Sequence, residues 1–235
     1  MTEDPQSPFA AALDLVLSLD PELGSIVLLS LRVTLTAVLL ACAVGLPLGA
    51  ALALFRFPGR QAVVVLTAAM MGLPPVVAGL VVYLLLSRSG PLGGLGMLFT
   101  PAAMVVAQTV LVLPIVVTLT RQVVEDLWTE LGEQLRSLGS SRLRAIPTLL
   151  WDGRLSLLSG VLAGFGRASA EVGAVLIVGG NIAGVTRTMT TAIALETSRG
   201  DLALALGLGL VLIVLTIALT AAAHMLGVLS RRWGA

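Results

Sequence analysis

Few side chains in this 235-residue chain could perform covalent or metal chemistry. Cys42 is its one cysteine, His224 its one histidine, and all fourteen basic residues are Arg. Without Lys the chain has no phosphate-gripping P-loop lysine and no Schiff-base amine. One Cys and one His cannot build an internal disulfide or a structural zinc site. A membrane-embedded enzyme would need a nucleophile–base pair or a carboxylate–histidine cluster, and little remains to make one. No cofactor or metal is expected. No basic patch is interleaved with aromatics, so nucleic acid is not an expected partner. Cys42 and His224 lie in apolar runs and read as packing residues.

Two charged constellations remain. Arg167 and Glu171 interrupt an otherwise apolar run, 155–180. On one helix a four-residue spacing puts both on the same side. Arg167 would lie about twelve residues, roughly 18 Å, into that span. An unpaired charge there is costly, so an Arg167–Glu171 ion pair is the economical arrangement. The pair neutralises itself, which favours bracing the bundle; a cation-lined anion pathway or gate is the alternative. Further on, Arg187 is flanked by Thr186, Thr188, Thr190 and Thr191. Arg and hydroxyl donors attract a tetrahedral dianion, but a hydrated loop at the outer mouth accounts for them more simply.

The elements that must position these groups follow from composition. The chain is 57% hydrophobic and only 11% charged, with mean hydropathy +1.03. A soluble domain averages roughly 25% charged residues, so the solvent implied is lipid. In lipid every backbone polar group must be satisfied internally, which leaves helices or a closed barrel. The apolar runs are long and unalternating, so the fold class is an all-α integral membrane protein. Spans are expected near 24–54, 61–87, 101–120, 155–180 and 202–229. Pro47, Pro74, Pro75 and Pro114 fall inside them and each should break or kink its helix. Arg56, Arg60, Arg121, Arg136, Arg142, Arg144, Arg154, Arg231 and Arg232 share one side, against Arg88, Arg187 and Arg199 on the other. By the positive-inside rule the N-terminus is outside and the C-terminus cytoplasmic. The acidic N-terminus argues against a cleavable signal; residues 9–19 could form an amphipathic surface helix.

The only sizeable polar stretch is 121–154, a cytoplasmic loop on this topology. Leu127, Leu131, Leu135 and Leu138 predict a helix over 125–138. Gly139 should end it, and Ser140 or Ser141 should cap a second helix over 142–150. The string Glu133-Gln134-Leu135-Arg136-Ser137-Leu138-Gly139-Ser140-Ser141-Arg142 resembles the EAA loop of ABC-importer permeases. Glu133 stands six residues before Gly139, as in that motif, while Gln134 and Leu135 replace its alanines. Gly72-Leu73-Pro74-Pro75, Gly90-Pro91-Leu92-Gly93 and 164–174 look like the molybdate/sulfate/tungstate branch. The stretch 178–197 is most similar to tungstate-type permeases. The likeness runs over about residues 25–230, as one transmembrane permease domain.

The resemblance implies a five-span type I importer permease (MetI-like) in a prokaryotic cell membrane. Two copies would form a pathway for a tetrahedral oxyanion, tungstate on the resemblance, with molybdate, sulfate or another small solute as alternatives. A pair of cytoplasmic ABC ATPases would drive it and an extracytoplasmic binding protein would deliver the anion. The chain itself would be no enzyme. Glu133, Gln134, Leu135, Ser137, Leu138, Gly139, Ser140 and Arg142 would form the ATPase-coupling element. Arg167, Glu171, Arg187, Thr188, Thr190 and Thr191 are the candidates for the pathway or gate. A self-sufficient channel or secondary transporter would normally show internal repeats, and none is convincing here.

Overall fold

The computed structural model describes residues 21–233 together with Leu13, Leu17 and Ser18. Most of the expected surface helix over 9–19 therefore lies outside the described residues. Among the described residues there are nine α-helices and no strand. They are α1 (Pro21–Leu54), α2 (Arg60–Met70), α3 (Pro75–Leu86), α4 (Pro101–Ser137), α5 (Arg142–Asp152), α6 (Arg154–Ser169), α7 (Gly173–Gly179), α8 (Met189–Arg199) and α9 (Leu202–Trp233).

Three helices are long and apolar enough to cross a membrane: Pro21–Leu54, Pro101–Ser137 and Leu202–Ala222. The apolar runs 61–87 and 155–180 are not single rods. The first is α2 plus α3, bent by 107°; the second is α6 plus α7, bent by 58°. Each bent pair can count as one span or as a re-entrant element, giving three to five spans. The prolines behave unequally. Pro47 and Pro114 sit inside continuous helices, whereas adjacent Pro74 and Pro75 remove two successive N–H donors and the chain turns there. Pro75 then opens α3, where a missing N–H costs nothing.

Exposed side chains confirm the solvent. Leu28, Leu39, Leu66, Val81, Ile213, Val214 and Ile217 all point outward, as a lipid-facing surface requires. The chain is a multi-pass membrane protein.

The helices gather into two compact units. One comprises the chain up to Thr34, Pro75–Ala107 and Ser169–Ala221. Its core packs Leu23 and Ile26 of α1 with Met189 and Ala192 of α8 and Leu208 of α9. In the same unit α3 crosses α7 closely: a Cβ on Gly79 would stand 2.6 Å from the Ala174 Cα. The other unit comprises Leu35–Pro74, Gln108–Ala168 and the chain from Ala222. Its core joins Ala50 and Leu54 of α1, Val124 of α4, and Ala145 and Leu149 of α5.

Candidate functional site

The polar segment differs from the expected loop. α4 has 37 residues, about 55 Å of helix against about 30 Å of hydrocarbon. No break separates the apolar part, 101–120, from the charged part that follows. The helix expected over 125–138 is therefore the far end of a membrane helix and not a separate element. Glu125 fixes this projection. Its carboxylate accepts hydrogen bonds from Arg60 at the start of α2 and from Arg121 one turn earlier on α4. Arg60 Nε also donates to the Leu52 carbonyl of α1 at 2.7 Å. Arg60 thus ties three helices together, α2 to α4 through the Glu125 carboxylate and to α1 through the Leu52 carbonyl.

α4 ends at Ser137 as the sequence predicts. Gly139 takes φ +76°, a conformation that suits glycine. Gly139 N–H donates to the Arg136 carbonyl and Ser140 N–H to the Leu135 carbonyl, both at 2.9 Å, which closes the helix as a Schellman turn. Ser141 then caps α5, its hydroxyl accepting from Arg144 N–H at 3.4 Å. Leu135 packs into the core beside Ala50 and Leu149. Glu133, Gln134, Ser137, Leu138, Gly139 and Arg142 are exposed, and Ser140 is half-buried. Leu138 is 84% exposed and Leu143 66%, so two bare leucines flank the turn. Trp151, 68% exposed, carries the Arg154 guanidinium 4.8 Å above its ring.

Arg167 and Glu171 do not make the expected helical pair. α6 stops at Ser169, so Glu171 is not on the next turn of the same helix. Arg167 Nη2 donates to the Leu73 carbonyl at 3.4 Å, in the break between α2 and α3. One residue along, the Ala168 carbonyl accepts from Gln108 Nε2 at 3.1 Å, and Gln108 Oε1 is buried without a partner. Buried Glu171 instead caps α7, its Oε1 accepting from Ala174 N–H at 2.9 Å. Its main-chain carbonyl accepts from Thr190 Oγ1 at 2.7 Å. Neither residue forms an ion pair among the described residues.

The Arg187 cluster is not a hydrated loop. Thr186, Thr188 and Thr191 are buried. Thr186 Oγ1 donates to the Gly179 carbonyl at 2.6 Å and accepts from Ile182 N–H at 2.9 Å. Thr188 and Thr191 form the capping box of α8. Arg187 Nη1 lies 3.6 Å from Glu22 and 3.8 Å from Glu196, which also pairs with Arg199 at 3.2 Å. The hydroxyls are thus committed to backbone or to one another, and the guanidinium already has two carboxylates. Cys42 is half-buried; the His224 and Trp233 side chains lie outside the described residues.

Sequence reasoning missed Arg60, Glu125, Gln108, Glu22 and Glu196. Only Arg121–Glu125 and Glu196–Arg199 carry a helical-spacing signal; the other partners are joined by folding alone. Among the described residues no group of three His, Cys, Asp or Glu side chains could hold a metal.

Long apolar helices, outward apolar side chains and a polar helical projection define a membrane-spanning class. No family model matches the chain. It is 39% identical over 218 residues to the tungstate uptake system permease TupB of Peptoclostridium acidaminophilum, covering 93% of this chain and 96% of that one. A probable anion ABC transporter permease of Haloferax volcanii is 41% identical over 185 residues, 77% of this chain and 80% of the relative. The molybdenum permease ModB of Escherichia coli is 30% identical over 192 residues, 77% and 83% of the two chains. The chain belongs to the ABC-importer permease subunits, in their molybdate/sulfate/tungstate branch, and is a transport component.

Proposed function

We propose that this protein is the membrane subunit of an ATP-driven importer of a tetrahedral oxyanion, most specifically tungstate. Two copies form the pathway in a prokaryotic cell membrane, embedded in its lipid. A pair of cytoplasmic ABC ATPases drives it, and an extracytoplasmic binding protein delivers the anion. Each bent helix pair serves as one span, giving five, with the N-terminus outside and the C-terminus cytoplasmic. The chain contributes no catalytic step of its own.

The observation that carries this reading is the turn at Gly139. A rigid membrane helix runs out past the span, stops on a Schellman turn, and presents exposed Leu138 and Leu143 beside Glu133, Gln134, Ser137, Ser140 and Arg142. Exposed leucines on a projecting turn are suited to an apolar groove on a partner, and a continuous helix carries a push without a flexible joint. Movement of the ATPases would pass through this turn into α4. Relatives named as tungstate and molybdenum permeases support the oxyanion.

The test is a Glu133→Arg, Gly139→Glu double variant in vesicles carrying the full assembly. Insertion should persist and uptake should fall to background. Normal uptake by that variant would remove the coupling assignment.

A further inference from the structure

Arg167 is the charge in the molecule that its surroundings explain least. It sits near the end of α6, half-buried, in a bent helix pair that counts as one span on the five-span reading proposed above. A guanidinium cannot shed its proton and carries five N–H donors in a planar fork. Here a single donor is engaged, by the neutral Leu73 carbonyl, at a long 3.4 Å. No carboxylate pairs with it among the described residues, whereas Arg60, Arg121, Arg187 and Arg199 all have one. On that reading a cation without a counter-charge is costly to keep.

The contact it does make is a loose one. Leu73 lies in the break that Pro74 and Pro75 impose between α2 and α3, where helical N–H partners are missing. A backbone carbonyl offers a dipole but no charge. It can hold the fork in place and cannot neutralise it.

We propose that Arg167 is a transient binding step for the transported oxyanion. In the arrangement described, the guanidinium is parked on the Leu73 carbonyl. As the dianion passes, two of its oxygens take the fork bidentately and the carbonyl contact is released. The cargo supplies the counter-charge that no described carboxylate provides, and the charge left on Arg167 after departure resets the site. This rests on the oxyanion-import reading and names the residue that handles the anion within it. The Thr186, Thr188 and Thr191 hydroxyls are excluded from the role because they are already bonded to backbone or to one another.

The experiment is tungstate uptake into vesicles holding permease, ATPase subunits and saturating loaded binding protein. Arg167→Gln and Arg167→Lys are compared with the parent, with co-purification of the ATPase as the assembly control. Glutamine can still donate to a carbonyl but has no charge; lysine keeps the charge and loses the fork. The expected result is retained assembly, an uptake rate at least about tenfold lower for the Gln variant, and a rate for the Lys variant clearly above it. Parental uptake by Arg167→Gln would mean that the residue merely ties down the break, and would overturn the proposal. So would Lys and Gln variants that assemble and are equally inactive. If the Gln variant fails to assemble, the Lys variant decides: recovered uptake supports the site, and none sinks it. A parent assembly that forms but takes up no tungstate would strike the oxyanion reading itself, and this inference with it.

Discussion

Glu125 is the most heavily used carboxylate in the unit built from Leu35–Pro74, Gln108–Ala168 and the chain from Ala222, with two arginines on it and side-chain exposures of 16% to 33% around the cluster. Removing one member of such a pair leaves the other charges uncompensated, with partial screening by solvent. Glu125→Gln should therefore cost about 1–2 kcal/mol, seen as a lower melting temperature in detergent. Glu133→Gln, on an exposed side chain whose neighbours do not pair with it, should leave melting unchanged. Thr186 gives a second contrast. Its hydroxyl serves the Gly179 carbonyl and the Ile182 N–H at once, so Thr186→Val strands a buried carbonyl and a partly buried N–H at about 1–3 kcal/mol. A Thr186→Val protein that melts like the parent but loses uptake would show that the hydroxyl handles anion and not scaffold.

At the scale of elements, α3 against α7 and the turn after α4 are the two places where a single atom matters. Gly79→Val would drive a side chain into the Ala174 backbone, since even a Cβ stands 2.6 Å from its Cα. That variant should fail to reach the membrane in folded form, as read by protease resistance. Gly139→Ala forces an L-residue into φ +76°, at about 1–2 kcal/mol. Leu138→Glu should leave the melting temperature alone and abolish co-purification with an ATPase subunit; retained capture would refute Leu138 as an anchor. The Gly139 turn and its serine cap were legible in the sequence because glycine and serine act locally. The apolar runs were legible for the same reason: hydropathy is additive along the chain. What the sequence could not show was where a run bends. Proline at 47 and 114 is absorbed within a helix, while Pro74–Pro75 turns the chain; neighbours, not the residue type, decide between these outcomes. The break after Ser169 has no proline at all, and it is what defeats the expected Arg167–Glu171 pair. Arg60 on Glu125 was equally hidden, because the two stand 65 residues apart.

Among the described residues, apolar side chains face outward along the long helices, and the arginine–carboxylate pairs fall into two clusters. The Arg187–Glu22–Glu196 group and the Arg60–Glu125–Arg121 group each lock their own unit. Arg167, by contrast, is held by the Leu73 carbonyl. The direct test is ATP hydrolysis by vesicles holding the permease, the ATPase subunits and the binding protein, with tungstate, molybdate and sulfate compared at equal concentration. The account predicts stimulation by tungstate above the other two, and only with every component present. Equal silence toward all three anions from a stable permease–ATPase complex would contradict it.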